Sequence, residues 1–345
     1  MKSGRIRAIW LHAFFWLLAA GALLSDFLSV NPPAAQNLSM FFAPPTQIHW
    51  MDADGRVHWR PHVHGYRLSD PLNVVYVEDP EVVYSLDFWV EGYPYRLLGL
   101  IPARIHLIAS SKPAVFYPLG ADELGRDVLA RVLAGSRVSL FVVTAGSLIY
   151  FVLGALIGIL AGMAGKWGDS LLMRLADFVL ALPALYVILA LRALLPENMP
   201  AWQGILLVTG TISAIAWPPM ARGVRGLIRQ VRSAAYVEAA RSFGCSRRWL
   251  LMHHFAPAIL PYLLQQTLVA APIFLLGEVI LSFLDVGTSA SAISWGAMLR
   301  NLRDTRVLTD FWWNLLPLAV VALVLLSFNI ATTYALRRHP ARNVL

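Results

Sequence analysis

Five short stretches of this chain hold residue types that can do chemistry. HWRPHVH (58–64) offers His58, His62 and His64 as metal ligands. Pro61 argues against a helix that would align His58 with His62. On extended backbone His62 and His64 face one side, and a solvated hairpin without metal is the simpler reading. DELGRDVLAR (122–131) sets Asp122, Glu123, Arg126, Asp127 and Arg131 at spacings that pair charges on a helical surface. Ion pairing, with Asp122 capping a short helix, accounts for it better than acid–base catalysis. GMAGKWGDS (162–170) has glycine and lysine without the G-x-x-x-x-G-K-[ST] spacing that cradles nucleotide phosphates. Glu278 stands about midway along an apolar run, where an ionisable group is a functional candidate by default. It can line a path, pair with another subunit or make a structural hydrogen bond between helices. The fifth stretch, EAARSFGCSRRWLLMHHFAPAILP (238–261), is basic and helix-forming with a glycine inside it. Its Cys245 is the only cysteine, which excludes an intrachain disulfide and a Cys-rich metal site.

These stretches are set among elements built for lipid. Of 345 residues, 58% are hydrophobic and 14% charged, with a mean hydropathy of +0.60; soluble domains carry about a quarter charged residues. The net charge of +8 does not indicate nucleic acid, because most arginines sit at the ends of apolar runs. Six runs approach the ~20 residues that cross a bilayer as helix: 8–29, 138–163, 170–195, 203–221, 262–285 and 314–336. The first is read as a retained anchor, since it is longer than a signal-peptide core. Arg174 and Asp177, one turn apart in the third run, are expected to pair with each other or to snorkel.

Lys2, Arg5 and Arg7 place the N-terminus on the cytoplasmic side. Six crossings return 164–169, 222–261 and the tail from Arg337 to that side, and the tail carries Arg337, Arg338 and Arg342. The 222–261 loop holds seven arginines against one acid, Glu238. Arg300, Arg303 and Arg306 in the outer 286–313 loop are the exception. Segment 30–137 then lies outside. It alternates β-prone runs such as VVYV and VVYSLDFWV with turn signals (MDADG, NPP, EGYP) and reads as a small, mainly β domain.

Within 222–261 the helical pattern is broken. Ser233 is expected to cap a helix running to about Phe243, Gly244 to end it in a left-handed stop, and Ser246 to cap a second helix that Pro257 closes. Ala239 and Ala240 leave one patch flat, and Glu238 offers one anionic contact among cations. A surface helix lying on anionic lipid is the alternative; His253 and His254 then cap or touch headgroups.

The segment resembles the cytoplasmic "EAA" loop of ATP-binding-cassette (ABC) importer permeases, through Glu238, Ala239, Ala240, Gly244, His254 and Pro257. Ala256 and Ala258 depart from that loop's usual H-x-L-P-N ending. PLGADELGRDVLARVLAGSRVSL (118–140) is similar to the signature of the dipeptide, oligopeptide and nickel permease family. WGDSLLMRLADFVLALPAL (167–185), GEVILSFLDVGTSASAISWGAML (277–299) and LLPLAVVALVLLSFNIATTYALR (315–337) are similar to it as well. The likeness spans most of 118–338 and is closest to the "C" subunits. The long 30–115 insertion, Asp285 in place of a usual glycine and the RRHPAR tail depart from the pattern.

The resemblance implies an all-α polytopic fold of six transmembrane helices. An anchor helix (1–30) precedes a mainly β extracytoplasmic insertion (31–115) and a permease core (116–345) that carries the coupling loop 222–261. It implies a non-enzymatic subunit of a bacterial inner-membrane importer, with both termini cytoplasmic, and di- or oligopeptides as substrate. Nickel or another small solute is the alternative substrate, and an ion-driven secondary transporter the rival mechanism. Glu238, Ala239, Ala240, Arg241, Gly244, His254 and Pro257 would couple to the ATPase, with Glu278 on the path or between subunits. No cofactor is expected in this chain, because ATP and Mg would be bound by two cytoplasmic ATPase subunits. A second permease, an external substrate-binding protein and the lipid bilayer would complete the assembly.

Overall fold

The structure is a computed structural model that describes residues 16–51, 57–97, 100–110, 115–193, 200–285 and 292–338. Its sheet strands are β1 (His49–Met51), β2 (Val57–Asp70), β3 (Val75–Leu97) and β4 (Ile101–Ser110). Its principal helices begin with α1 (Val128–Met163), α2 (Lys166–Ala181), α3 (Ala184–Ala193), α4 (Ala201–Ala216) and α5 (Pro218–Arg232). They continue with α6 (Ala235–Ser242), α7 (Arg247–Leu250), α8 (Ala256–Phe283), α9 (Trp295–Met298), α10 (Thr305–Asp310) and α11 (Leu316–Arg338).

Among the described residues, three helices are long and apolar enough to cross a membrane: Val128–Met163, Arg247–Phe283 and Trp312–Tyr334. The third and fourth expected runs are not straight. They form bent pairs, α2 with α3 at 79° and α4 with α5 at 42°, giving up to five spans if each pair counts as one. Proline explains both breaks. Its ring pushes the preceding residue toward extended backbone, and Leu182, before Pro183, lies at φ −76°, ψ 119°. Pro218 restarts a helix at its first turn, where the missing N–H costs nothing. As expected, 222–261 is helical but broken: it holds most of α5, then α6, α7, a π turn (Leu251–Phe255) and the start of α8. Residues 8–15 of the 8–29 run lie outside the described residues; 16–23 and Ser25–Leu28 are helical.

The chain forms two compact units, and α1 and α11 each run through both. The first unit comprises His12–Ser139 and Ile293–Leu323. It holds an antiparallel sheet in the order β1-β2-β3-β4. The long β3 pairs with β2 through its first half and with β4 through its second. EGYP (91–94) is therefore not a turn but a bulge in β3, between Glu91 and Tyr95. His106 occupies the space a side chain at Gly92 would need. The MDADG turn lies outside the described residues. Val63, Leu86 and Phe116 form the core on the sheet.

The segment before α1 is fixed by buried polar contacts. Trp313 donates through Nε1 to the Ala121 carbonyl at 2.9 Å, and Trp295 to that of Val132 at 3.0 Å. Arg137 meets Asp26 at 2.7 Å. Gly125, at φ +67°, packs so tightly that a Cβ would sit 1.9 Å from the Asn37 oxygen. Asp122 is not the helix cap. It accepts from the Leu124 and Arg126 amides and pairs with Arg126 at 2.7 Å. The residue before α1, Asp127, accepts from the Ala130 amide at 3.1 Å instead. Arg306, one of the outer-loop exceptions, donates to the Leu72 carbonyl at 2.7 Å and pairs with Asp310.

In the second unit, from Leu140 to Ala292 with the chain from Val324, α1 carries Gly154, Gly158 and Gly162 four apart on one face. Met220, Val224 and Ile228 of α5 fill the space above them, so that a Cβ at any of the three glycines would approach within 2.6 Å. Small residues at this spacing let helix backbones approach closely in lipid. The same α1 face meets α8 at Gly146, against Phe274, and Tyr150 contacts Phe274 edge-on.

Candidate functional site

The candidate coupling segment is built outward from α5. Asp169 near the start of α2 is held bidentately by Arg225 and also by Arg229. Arg222 pairs with Asp177, so Asp177 does not take the expected Arg174 as its partner. The acids of α2 therefore neutralise three of the arginines that sequence placed in an acid-poor loop. Tyr262 of α8 packs where a side chain at Gly223 would go. Between α1, α2 and α8, α5 has little freedom to move alone.

Helix α6 follows within three residues. Its Val237 is fully buried, in one cluster with Val224 and Ile228 of α5 and with Leu250, Phe255 and Ile259. Glu238, Ala239 and Arg241 are exposed, and Ala240 is half-buried. An anchored helix with a small, charged outer face is what a docking surface requires. Ser233 does not cap α6. Its hydroxyl donates to the Gln230 carbonyl within the last turn of α5, and Ala234 precedes α6 without a side-chain cap. Gly244 ends α6 at φ +79°, as expected, in a conformation that costs glycine least. Ser246 caps α7 by accepting from the Trp249 amide at 3.2 Å.

Pro257 does not close the second helix. A π-helical turn, Leu251–Phe255, joins α7 to α8, and the helical run continues from Arg247 to Phe283. Widening to i→i+5 bonds is how a helix absorbs such an irregularity, often at functional sites. His254 packs between Tyr236 of α6 (5.3 Å between centroids) and Trp249 of α7 (5.3 Å). His253 stacks on Trp249 at 4.6 Å and bonds its carbonyl. The histidine that sequence singled out thus fixes the two short helices to each other.

Glu278 is not brought to this surface: it lies roughly 30 Å further along α8 at ~1.5 Å per residue. It is fully buried within the chain and accepts from Ser282 at 2.9 Å. GMAGKWGDS spans the end of α1, the Ala164–Gly165 turn and the start of α2, and Asp169 within it belongs to the arginines. The Asp122–Arg126–Arg131 network, with Asp122 and Arg131 at 3.3 Å, serves the fold.

His62 and His64 do face one side, with ring centroids 5.6 Å apart. His49 from β1 joins them at 5.9 and 4.7 Å, a meeting set by strand register and invisible to local spacing. Glu78 meets His49 at 3.1 Å. Among the described residues no group of three such side chains is placed to hold a metal ion. The side chain of His58 lies outside them.

Comparison with known proteins shows the family. Residues 154–342 match the binding-protein-dependent transport system inner membrane component family. A Brucella ovis protein named as a peptide permease is 32% identical over 249 residues, 72% of this chain and 78% of its own length. The dipeptide transport system permease protein DppC of Bacillus subtilis is 33% identical over 219 residues, covering 63% of this chain and 66% of its own. The oligopeptide transport system permease protein OppC of the same organism is 29% identical over 225 residues, 65% of this chain and 71% of its own. Among solved structures, the methionine ABC transporter MetNI in inward-facing form aligns with 59% of this chain and 96% of its own, at 13% identity and a TM-score of 0.44. The chain belongs to the family of binding-protein-dependent transport system inner membrane components, the permease subunits of ABC importers.

Proposed function

We propose that this chain is a membrane-spanning subunit of an importer of short peptides and that the exposed face of α6 is where a cytoplasmic ATPase engages it. The observation that carries the reading is the two-sided character of α6, with Val237 locked into the core while Glu238, Ala239 and Arg241 face outward. The names of the relatives support peptides as substrate. Closure of the ATPase pair on ATP pulls α6, and α5 moves with it. The glycine contacts transmit the motion to α1, so the transmembrane cavity alternates between its two openings. Two ATPases, a second permease and an external binding protein complete the assembly, with ATP and Mg held by the ATPases. The β-sheet is an extracytoplasmic insertion, both termini are cytoplasmic, and the chain is multi-pass in the inner membrane.

Uptake of a labelled dipeptide into cells with the wild-type chain or Glu238→Lys tests the coupling surface. The variant should accumulate in the membrane normally and lose uptake by about tenfold or more, since each ~1.4 kcal/mol of docking energy is a factor of ten. Uptake at the wild-type rate would remove Glu238 from the coupling role.

A further inference from the structure

Beside α6 and α7 the second unit has a partly open cavity of about 300 Å³. Met163, Leu250 and Phe255 give it an apolar lining, and Arg232, Arg241 and Arg247 bring three guanidinium groups to it. The latter two of the apolar residues are buried, and all three arginines are exposed. Arg232 donates to the Met163 carbonyl at 3.4 Å. Asp169 and Asp177 answer the arginines of α5 at 222, 225 and 229. Among the described residues no carboxylate pairs with Arg232, Arg241 or Arg247. Three like charges brought to one concavity repel one another until an anion joins them. Guanidinium groups bind phosphate oxygens through paired N–H donors.

Two features identify the anion. Met163 ends α1, a 36-residue apolar helix with Lys166 just beyond it, so the cavity lies where a span leaves hydrocarbon. A free phosphate has no use for an apolar wall, whereas a phospholipid presents a phosphodiester joined to apolar glycerol esters and chains. Basic pockets between membrane helices on the cytoplasmic side bind anionic headgroups in this way. We propose that the cavity binds the phosphate headgroup of an anionic phospholipid, which fastens α6 and α7 to the end of α1 and so sets how firmly the coupling helices are held. The proposal rests on the cytoplasmic placement of α6 given above.

Cys245 lines the same cavity and is the chain's single cysteine, so its alkylation reports occupancy. The full chain is placed in nanodiscs of phosphatidylcholine with or without phosphatidylglycerol. Reaction with neutral N-ethylmaleimide is followed by mass spectrometry of the Cys245 peptide. Phosphatidylglycerol should slow alkylation about fivefold, equivalent to ~1 kcal/mol of occupancy. The protection should persist in Arg248→Gln, whose arginine lies outside the lining, and in Glu238→Lys. It should vanish in the Arg241→Gln/Arg247→Gln double variant. Equal rates in the two lipids overturn the proposal. So does equal loss of protection in Arg248→Gln, which would indicate surface charge alone. Protection by inorganic phosphate in phosphatidylcholine discs also overturns it, by making the ligand a soluble anion. Because Glu238→Lys is read here by lipid protection and above by uptake, either reading can fail without the other.

Discussion

Asp127 shows how much one side chain can carry. It is buried, accepts from the Ala130 amide and takes a 2.9 Å hydrogen bond from Asn31. Burial pushes its carboxyl up from 3.8 to about 6, against the opposing pull of those hydrogen bonds. A raised folded-state value means that protonation favours the folded form. The contribution is fully present below the ordinary carboxylate range and is lost as pH rises through about 6. Between pH 5 and 7.5 the wild-type chain should lose stability relative to Asp127→Asn, by on the order of 1–3 kcal/mol. Thermal unfolding of both in detergent at the two pH values measures this, and a difference that does not change with pH would contradict it. The identity of the cap was only half legible. Asp122 and Asp127 both suit a helix start, and only the course of the chain shows that Asp122 closes a tight turn with Arg126. Gly244 was legible, because few residues tolerate a left-handed stop. Asp285 adopts the same kind of conformation, at φ 63°, which glycine would take at least cost.

At the scale of elements, the contact of α1 with α5 joins the coupling segment to the transmembrane helices. An alanine at Gly158 would place its Cβ 2.6 Å from that of Val224 and 2.7 Å from the Ala221 oxygen, which is backbone and cannot rotate away. Gly158→Ala should therefore cost about 1–3 kcal/mol, the usual penalty of overpacking, and should lower transport per ATP hydrolysed more than ATP hydrolysis itself. Uptake and phosphate release measured on the same proteoliposomes check it, and an unchanged ratio would show that α5 is not the lever. The GALIGILAG run (154–162) carries this signal openly, and apolar patterning alone passes over it. Other features depend on distant partners. A run of hydropathy says where a helix can cross but not that Pro183 will bend it, and the bulge at EGYP is decided by pairing with β4. The π turn that carries the helix past Pro257 leaves no local signature at all.

For the whole molecule, the central claim is that this chain supplies the membrane pathway while its energy comes from proteins docked on α6. Acids of α2 neutralise Arg222, Arg225 and Arg229 of α5, and Glu238 is the one acid of α6, exposed on its outer face. The measurement that tests the claim most directly is recovery of the tagged chain from its native membrane in mild detergent, with identification of what accompanies it. The account predicts a second permease and ATPase subunits with the wild type, and loss of the ATPases but not of the permease with Glu238→Lys. A chain recovered alone, which still supports ion-driven flux after reconstitution, would contradict the account and leave α6 as a helix that only rests on lipid.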